Sequence, residues 1–300
     1  MANIIKPITS FTKFESYDLG IQLIDQALLY KHDPFVDKLK GTGKRIGCIF
    51  LNPSLRTRVS TQLAALNLGM EPIILNMDKE GWALEMNDGA VMNRDKVEHI
   101  KDAAAVLGSY FDILAIRAFP SLTNKEDDLA DFVFNQFVTY CGKPVISLES
   151  AIRHPLQSLA DQITIKENST KSKPKVVMTW APHIKAIPHP EGYELDEQFT
   201  KGAKLEYNQA KALEGADFVY VKNWSSFNEY GKILFTDSSW MLTEKHLENA
   251  PNAKIMHCLP VRRNVELSDE MLDNSRSLVQ EQAKNRVFAA QSVISHLLDS

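Results

Sequence analysis

The stretch that most constrains the fold is residues 45–68, whose pattern predicts a buried strand, a sharp turn and a helix. Residues 46–51 are apolar throughout, which is typical of a strand covered on both faces. Asn52-Pro53-Ser54 ends the strand, and serine is a favoured helix N-cap residue. Four apolar side chains then recur at helical spacing and are expected to face the core: Leu55, Val59, Leu63 and Leu66.

The first turn of this helix carries Arg56 and Arg58, at the end where the helix dipole favours a negative charge. Two cations there destabilise the helix unless an anion binds. Backbone N–H groups, the hydroxyls of Ser54 and Thr57 and a guanidinium together form a phosphate cradle. The alternative is a pair of solvated arginines on a surface helix. The concentration of positive charge at this turn favours an anion site.

Strand and helix patterns alternate through the first half. Strands are predicted over residues 46–51, 71–75, 113–117 and 144–148, and helices over 17–30, 55–68, 96–110 and 128–140. Such alternation predicts a parallel sheet with right-handed crossovers, in which ligands bind beyond the carboxyl ends of the strands. The turn at Ser54, Arg117 and Glu149 fall at those ends.

The second half repeats the pattern. Strands are predicted over residues 175–179, 218–221 and 254–258, and helices over 201–213, 243–248 and 280–298. The last helix has an apolar face formed by Val287, Ala290, Ile294 and Leu297. A chain of 300 residues suits two domains. The sequence therefore predicts an α/β fold with two doubly wound parallel-sheet domains that divide near residues 151–154.

Composition excludes several classes of function. A net charge of −4 without a basic block argues against a nucleic-acid partner. No run approaches the roughly 18 apolar residues of a membrane span, and the first ten residues lack a signal-peptide core. Three widely spaced cysteines and eight scattered histidines give neither a disulfide framework nor a metal-ligand cluster, so we expect a reducing cytoplasm and no metal. No glycine fingerprint follows a strand, so no dinucleotide or other cofactor is expected.

Three short segments resemble signatures of the aspartate/ornithine carbamoyltransferase family. They are Ser54-Leu55-Arg56-Thr57-Arg58, His154-Pro155-Leu156-Gln157 and His257-Cys258-Leu259-Pro260, in the family's order and covering nearly the whole chain. The resemblance implies an enzyme that transfers the carbamoyl group of carbamoyl phosphate to an amine. It implies a carbamoyl-phosphate-binding domain over residues 1–152, on which residues 280–300 pack, and an amine-binding domain over residues 153–279.

The resemblance also assigns roles to residues. Phosphate contacts fall to Ser54, Leu55, Arg56, Thr57 and Arg286. Three residues are implied in catalysis: Arg117 at the phosphate and carbonyl oxygens, His154 as donor to the carbonyl oxygen, and Cys258 beside the attacking nitrogen. Gln157 and the carbonyl of Leu259 bind the carbamoyl amide. Cys258 is not expected to be a covalent nucleophile, because the transfer is a direct displacement.

Differences between this sequence and the common members of that family indicate which amine accepts the carbamoyl group. The chain lacks the Asp-x-x-x-Ser-Met-Gly segment of ordinary ornithine enzymes and carries Trp82 where aspartate enzymes have a lysine. It thereby resembles the branch that carbamoylates N-acylated ornithine, whose neutral α-nitrogen needs no carboxylate partner. In that branch the tryptophan also contacts carbamoyl phosphate, reaching in from an adjacent subunit. A homo-oligomer, in the family a trimer, is therefore expected.

The acyl group is acetyl or succinyl. Relatives that use acetyl carry a glutamate at the place of Val97, where a carboxylate would repel a succinyl group, whereas those that use succinyl carry an apolar proline. Val97 favours N-succinylornithine over N-acetylornithine, in arginine biosynthesis; a catalytically silent binding subunit is the remaining alternative. Expected contacts with the acylornithine are Glu149 at the δ-amine, Lys222 and Arg262 at the α-carboxylate, and His183 and Lys185 at the succinyl group. Relatives have a longer proline-rich loop between positions 182 and 191, which is either deleted here or missing from the sequence.

Overall fold

The computed structural model describes residues 10–77, 79, 81–183, 202–224 and 229–299. The chain forms two compact units, Met1–Leu159 with Arg286–Ser300 and Ala160–Asn285. The predicted divisions lie at 152/153 and 279/280, a few residues before those of the structure. The difference has a simple cause: each division falls inside a continuous helix, so no linker composition marks it.

The first unit is built on a four-stranded parallel sheet. Its elements in chain order are α1 (Tyr17–His32), β1 (Arg45–Phe50), α2 (Leu55–Asn67), β2 (Glu71–Asn76), β3 (Leu84–Glu85), β4 (Glu98–His99), α3 (Ile100–Tyr110), β5 (Ile113–Arg117), α4 (Lys125–Leu129), α5 (Phe132–Tyr140), β6 (Val145–Glu149) and the start of α6 (Pro155–Asn168). The strand order is β2-β1-β5-β6, and β3 and β4 form a separate pair. Phe50 is in register with Arg117, and Arg117 with Glu149, so the predicted carboxyl ends meet at one edge.

Helix α2 reverses the predicted orientation. Its large apolar side chains are 44–75% exposed: Leu55, Val59, Leu63 and Leu66. The buried face consists of small residues: Thr57, Ser60, Thr61, Ala64 and Ala65. Both sets recur at helical spacing, and the small set packs toward β1 and β2. The expectation that the leucine and valine side chains face the core is therefore wrong, and α2 presents an apolar stripe on the surface of this unit.

Several predicted helices are shorter than expected. Residues 96–110 become helical only at Ile100, because residues 98 and 99 pair as β4 with β3. The helix predicted over 128–140 is interrupted where Asp131 adopts a left-handed backbone conformation, with φ of 51°. Residues 202–208 are not helical, and residue 201 lies outside the described residues. The predicted helix 243–248 is a single 3₁₀ segment, Glu244–Leu247.

The second unit contains a three-stranded parallel sheet in its described part. Its elements are the rest of α6, β7 (Val176–Trp180), α7 (Gln209–Leu213), β8 (Phe218–Lys222), β9 (Lys254–Met256), α8 (Asp269–Leu272) and the first residues of α9 (Val279–Leu298). The order is β7-β8-β9. The doubly wound α/β expectation is confirmed in both units.

Helix α9 returns the chain to the first unit from Arg286 onward. Gln291 accepts a hydrogen bond from Asn67 at 2.9 Å, and the hydroxyls of Ser295 and Tyr30 lie 2.7 Å apart. Ile294 is fully buried. Residues from both ends of the chain thus build one core. No helix in the described ranges is long and apolar enough to cross a membrane.

Candidate active site

In the first unit, Arg117 and Glu149 form a buried ion pair at the carboxyl ends of β5 and β6. Strand register places them side by side, since they are paired positions of neighbouring parallel strands. The same carboxylate oxygen of Glu149 lies 3.7 Å from Nε2 of His154. Glu149 is expected at the amine, and the structure brings its carboxylate to an arginine and a histidine that are expected at carbamoyl phosphate.

Arg286 joins this cluster from helix α9. Its Nη2 donates a hydrogen bond to Oγ1 of Thr57 at 2.5 Å and lies 3.3 Å from Nε2 of His154. A guanidinium has no acceptor, so Nε2 of His154 accepts in that contact and a neutral ring carries its proton on Nδ1. All three residues are buried. Residues separated by 229 positions therefore meet at one point.

The cluster carries an excess of positive charge. Burial and the charges of Arg286 and Arg56 lower the pKa of Arg117 to about 10, so its guanidinium remains protonated at neutral pH. The charges of Arg286 and Arg56 both act on Arg117, and the carboxylate of Glu149 pairs with Arg117. Concentrated, fixed hydrogen-bond donors with net positive charge bind a multiply charged anion such as a phosphate ester.

The first turn of α2 adds donors. The backbone of Ser54 is extended at the N-cap, and its hydroxyl makes no capping hydrogen bond. This leaves the hydroxyl available to a ligand beside the first N–H groups of the helix. Leu55 is 75% exposed, which leaves its backbone N–H as the group that it offers to an anion at this turn. Arg58 is exposed, unlike Arg56, and the two arginines therefore have different surroundings.

The remaining residues predicted in the first unit differ in exposure. Gln157 is buried in the first turn of α6, and its backbone N–H donates to the carbonyl of His154 at 3.0 Å. Trp82 is 57% exposed, and its indole N–H donates to Glu98 at 2.8 Å. Val97 is 66% exposed and immediately precedes β4. Trp82 and Val97 thus lie at the surface near the β3–β4 pair.

In the second unit, two predicted residues meet at the carboxyl ends of β8 and β9. Nζ of Lys222 donates to Sγ of Cys258 at 3.3 Å. The next residue, Leu259, has a left-handed φ of 56°, and its backbone N–H donates to Nδ1 of His257 at 2.9 Å. The signature His257-Cys258-Leu259 is therefore a tight turn in which the histidine holds the backbone.

Arg262 and His183 are also in contact in this unit. Nε of Arg262 donates to Nε2 of His183 at 2.9 Å, and the backbone N–H of Arg262 donates to Glu266 at 2.6 Å. Glu266 lies 3.8 Å from His183 and 3.5 Å from His257. Burial acts to raise the pKa of Glu266, but hydrogen bonding and charge from His257, with support from Arg262 and His183, lower it below its usual value. Lys185 lies outside the described residues.

Sequence reasoning missed Glu266 and the structural role of His257. Glu266 stands between Val265 and Leu267, a pattern common to exposed charged positions, and it is only 2% exposed. The single signal is its position shortly after a histidine signature, which by itself does not indicate a contact. No group of three or more metal-ligating side chains occurs in the described part of the chain.

Comparison with known proteins decides the family. The model of the aspartate/ornithine carbamoyltransferase carbamoyl-phosphate-binding domain matches residues 6–167, and that of the aspartate/ornithine-binding domain matches residues 172–297. The chain belongs to the aspartate/ornithine carbamoyltransferase family. The expectations of a carbamoyltransferase and of that fold are confirmed.

Similar members of this family act on acylated ornithine. N-succinylornithine carbamoyltransferase of Bacteroides fragilis (strain 638R) is 44% identical over 90% of this chain and 92% of its own length. N-acetylornithine carbamoyltransferase of Xanthomonas campestris pv. campestris is 31% identical over 92% of this chain and 93% of its own. A solved structure, with TM-score 0.88 and 29% identity, covers 97% of this chain and 99% of that chain. It is an N-acetyl-L-ornithine transcarbamylase with a glutamate replaced by valine, complexed with carbamyl phosphate and N-succinyl-L-norvaline.

Proposed function

We propose that this carbamoyltransferase transfers the carbamoyl group of carbamoyl phosphate to the δ-amine of N2-succinyl-L-ornithine. The products are N2-succinyl-L-citrulline and phosphate, and the reaction belongs to arginine biosynthesis. The observation that supports the transferase chemistry is that Arg286 and Arg56 lie close enough for their charges to act on Arg117, while Arg286 also donates a hydrogen bond to Thr57. The assignment of succinyl as the acyl group of the substrate rests on Val97 and on the 44% identity to an N-succinylornithine carbamoyltransferase.

The first unit binds carbamoyl phosphate in this proposal. The N-terminal amides of α2 and the hydroxyls of Ser54 and Thr57 hold the phosphate together with Arg56 and Arg286. Arg117 reaches both the phosphate and the carbonyl oxygen. Because Glu149 already pairs with Arg117, the incoming dianion shares that guanidinium with a carboxylate.

His154 supplies the donor at the reacting carbonyl. With Nε2 accepting from Arg286, its Nδ1–H donates to the carbonyl oxygen, where negative charge grows as the amine attacks. Gln157 and the carbonyl of Leu259 hold the carbamoyl amide. The new C–N bond forms as the C–O bond to phosphate breaks, and the released phosphate takes the proton of the amine.

The second unit binds the acylornithine. Lys222 and Arg262 provide cations for the α-carboxylate, and Cys258 lies beside the attacking nitrogen without forming a covalent bond. Glu149 of the first unit orients the δ-amine before transfer. His183 and Lys185 pair with the succinyl carboxylate. The hydrogen bond between Arg262 and His183 supports these neighbouring roles, since it holds the two side chains side by side.

Val97 sets the acyl preference by leaving the succinyl carboxylate without a repelling neighbour. The relative that carries valine in place of a glutamate is described in complex with N-succinyl-L-norvaline, which supports this assignment. N-acetylornithine is the alternative substrate. It is favoured by the relatives at about 31% identity.

The enzyme is proposed to be a cytoplasmic homotrimer in which Trp82 enters a neighbouring site. The exposed stripe of α2 supports self-association, because four large apolar side chains on one helix face are costly to leave in water. Cys48 and Cys141 are buried free thiols, which is compatible with a reducing compartment.

A side-by-side carbamoylation assay with ornithine, N-acetylornithine and N-succinylornithine tests the proposal. We expect the largest kcat/KM with N-succinylornithine and no measurable turnover of unacylated ornithine. Val97→Glu should lower kcat/KM for the succinyl substrate and leave that for the acetyl substrate less affected. Faster turnover of N-acetylornithine by the parent enzyme would overturn the substrate assignment, and no turnover of any of the three would overturn the reaction.

A further inference from the structure

Asp131 occupies an unusual position at the start of α5. It has a left-handed backbone, with φ of 51° and ψ of 36°, and it makes no side-chain capping hydrogen bond to its own helix. An aspartate at an N-cap ordinarily accepts from the helix amides. Aspartate tolerates the left-handed region better than most residues, but it still costs free energy there. The carboxylate is therefore diverted from its usual local role.

The carboxylate binds the turn that follows β6. Oδ2 of Asp131 accepts from the hydroxyl of Ser150 at 2.6 Å, and Oδ1 accepts from the backbone N–H of Ala151 at 2.8 Å. The Ser150 hydroxyl in turn accepts from the backbone N–H of Arg153 at 3.2 Å, and the Ser150 N–H donates to the carbonyl of Arg153 at 2.8 Å. Residues 150–153 thus form a closed turn fastened to one buried carboxylate.

This turn joins two residues of the candidate site. Glu149 precedes it and His154 follows it, and their side chains approach to 3.7 Å. The carbonyl of His154 accepts from the backbone N–H of Gln157, so the histidine is fixed on its C-terminal side by the first turn of α6. Its N-terminal side depends on the turn that Asp131 holds.

We propose that Asp131 is a positioning residue that acts through the 150–153 turn to orient His154 for donation to the reacting carbonyl. The inference rests on the proposed carbamoyl transfer and on His154 as the donor. Burial raises the pKa of Asp131, whereas the hydrogen bonds from the Ser150 hydroxyl and the Ala151 N–H act to lower it.

Two substitutions separate geometry from folding. Asp131→Asn keeps the size, suits the left-handed backbone and leaves one oxygen for Ala151, but its amide nitrogen cannot accept from the Ser150 hydroxyl. Asp131→Gly keeps the backbone conformation and removes the whole contact. We expect Asp131→Asn to lower kcat about tenfold to a hundredfold, the size expected for a displaced catalytic group. KM for carbamoyl phosphate should stay within about threefold, because the arginine cluster is untouched.

Asp128→Asn is the matched control. Asp128 is also buried, and its carboxylate accepts from the Ser121 hydroxyl and from the backbone N–H groups of Ser121 and Leu122, in a turn that does not include His154. We expect Asp128→Asn to lower the Tm about as much as Asp131→Asn does, with little change in kcat. An equal loss of kcat in Asp128→Asn and Asp131→Asn would overturn the proposal.

A double-mutant cycle that combines Asp131→Asn with His154→Ala tests whether Asp131 acts through His154. If Asp131 acts through His154, adding Asp131→Asn to His154→Ala should change kcat by less than about twofold. A full additional loss in that background would overturn the inference while leaving His154 as the catalytic donor. A His154→Ala enzyme as active as the parent would overturn the role of His154 itself, and the inference with it.

Discussion

Arg117 and Glu149, the last residues of two neighbouring parallel strands, are in register and form a buried ion pair. The same arginine is influenced by the charges of Arg286 and Arg56, and the same carboxylate lies near His154. Glu149 therefore compensates part of the positive charge of these arginines. In the proposed function, a bound dianion shares that compensation with Glu149.

Replacing Glu149 with glutamine should expose this relationship. We expect Glu149→Gln to lower the free energy of unfolding by about 3 kcal/mol, because a buried guanidinium loses its partner. Inorganic phosphate should then raise the Tm of the variant more than that of the parent, which thermal unfolding with and without phosphate measures. Glu71→Gln is the control, since Glu71 pairs with Arg45 at the surface and its loss should cost less than about 1 kcal/mol. Equal phosphate shifts in parent and Glu149→Gln would contradict the charge argument.

The two arginines in the first turn of α2 should differ in importance. Arg56→Ala should lower kcat/KM for carbamoyl phosphate about a thousandfold, because a fixed cation at the phosphate is lost. Arg58→Ala should remain within about threefold of the parent, since that side chain is exposed. Steady-state kinetics with varied carbamoyl phosphate compares them. Near-normal kcat/KM in Arg56→Ala would refute the phosphate assignment.

Glu266 should contribute stability that depends on pH. Its pKa in the folded protein lies below its usual value of 4.5, so its contribution is fully present above that value. The contribution is lost as the pH falls through the lowered pKa. Urea unfolding at several pH values from about 7 to about 3 should show the parent more stable than Glu266→Gln at neutral pH, with the difference closing in acid. Glu270 is exposed, so Glu270→Gln is the control, and its free energy of unfolding should differ from that of the parent by a small amount that does not change with pH. A difference between Glu266→Gln and the parent that is equally independent of pH would contradict the prediction.

The exposed stripe of α2 should stabilise the oligomer. Leu63→Glu together with Leu66→Glu should shift the sedimentation mass toward the 33.8 kDa monomer, because charge is placed in a face that is apolar. Leu39→Glu is the matched control, as Leu39 is 83% exposed outside the stripe. An unchanged assembly in the double variant would show that this face is not an interface.

The sequence predicts the sheets well because the apolar patterns of buried strands follow from local rules. Apolar runs mark β1, β5 and β6, and their carboxyl ends bring Arg117 and Glu149 together. It does not predict which face of α2 is buried, since small and large residues on that helix share the same period. It also does not reveal the hydrogen bond from the Ser150 hydroxyl to Asp131, because that contact depends on tertiary structure that no local pattern encodes.

The hydrogen bond between Thr57 and Arg286 has a consequence during synthesis. A growing polypeptide that has already formed its first strands still lacks one of the proposed phosphate-binding arginines until translation reaches the last helix. Shortened products that stop before position 286 should therefore be unable to sequester carbamoyl phosphate tightly, so incomplete chains would not compete with finished enzyme for this reactive metabolite.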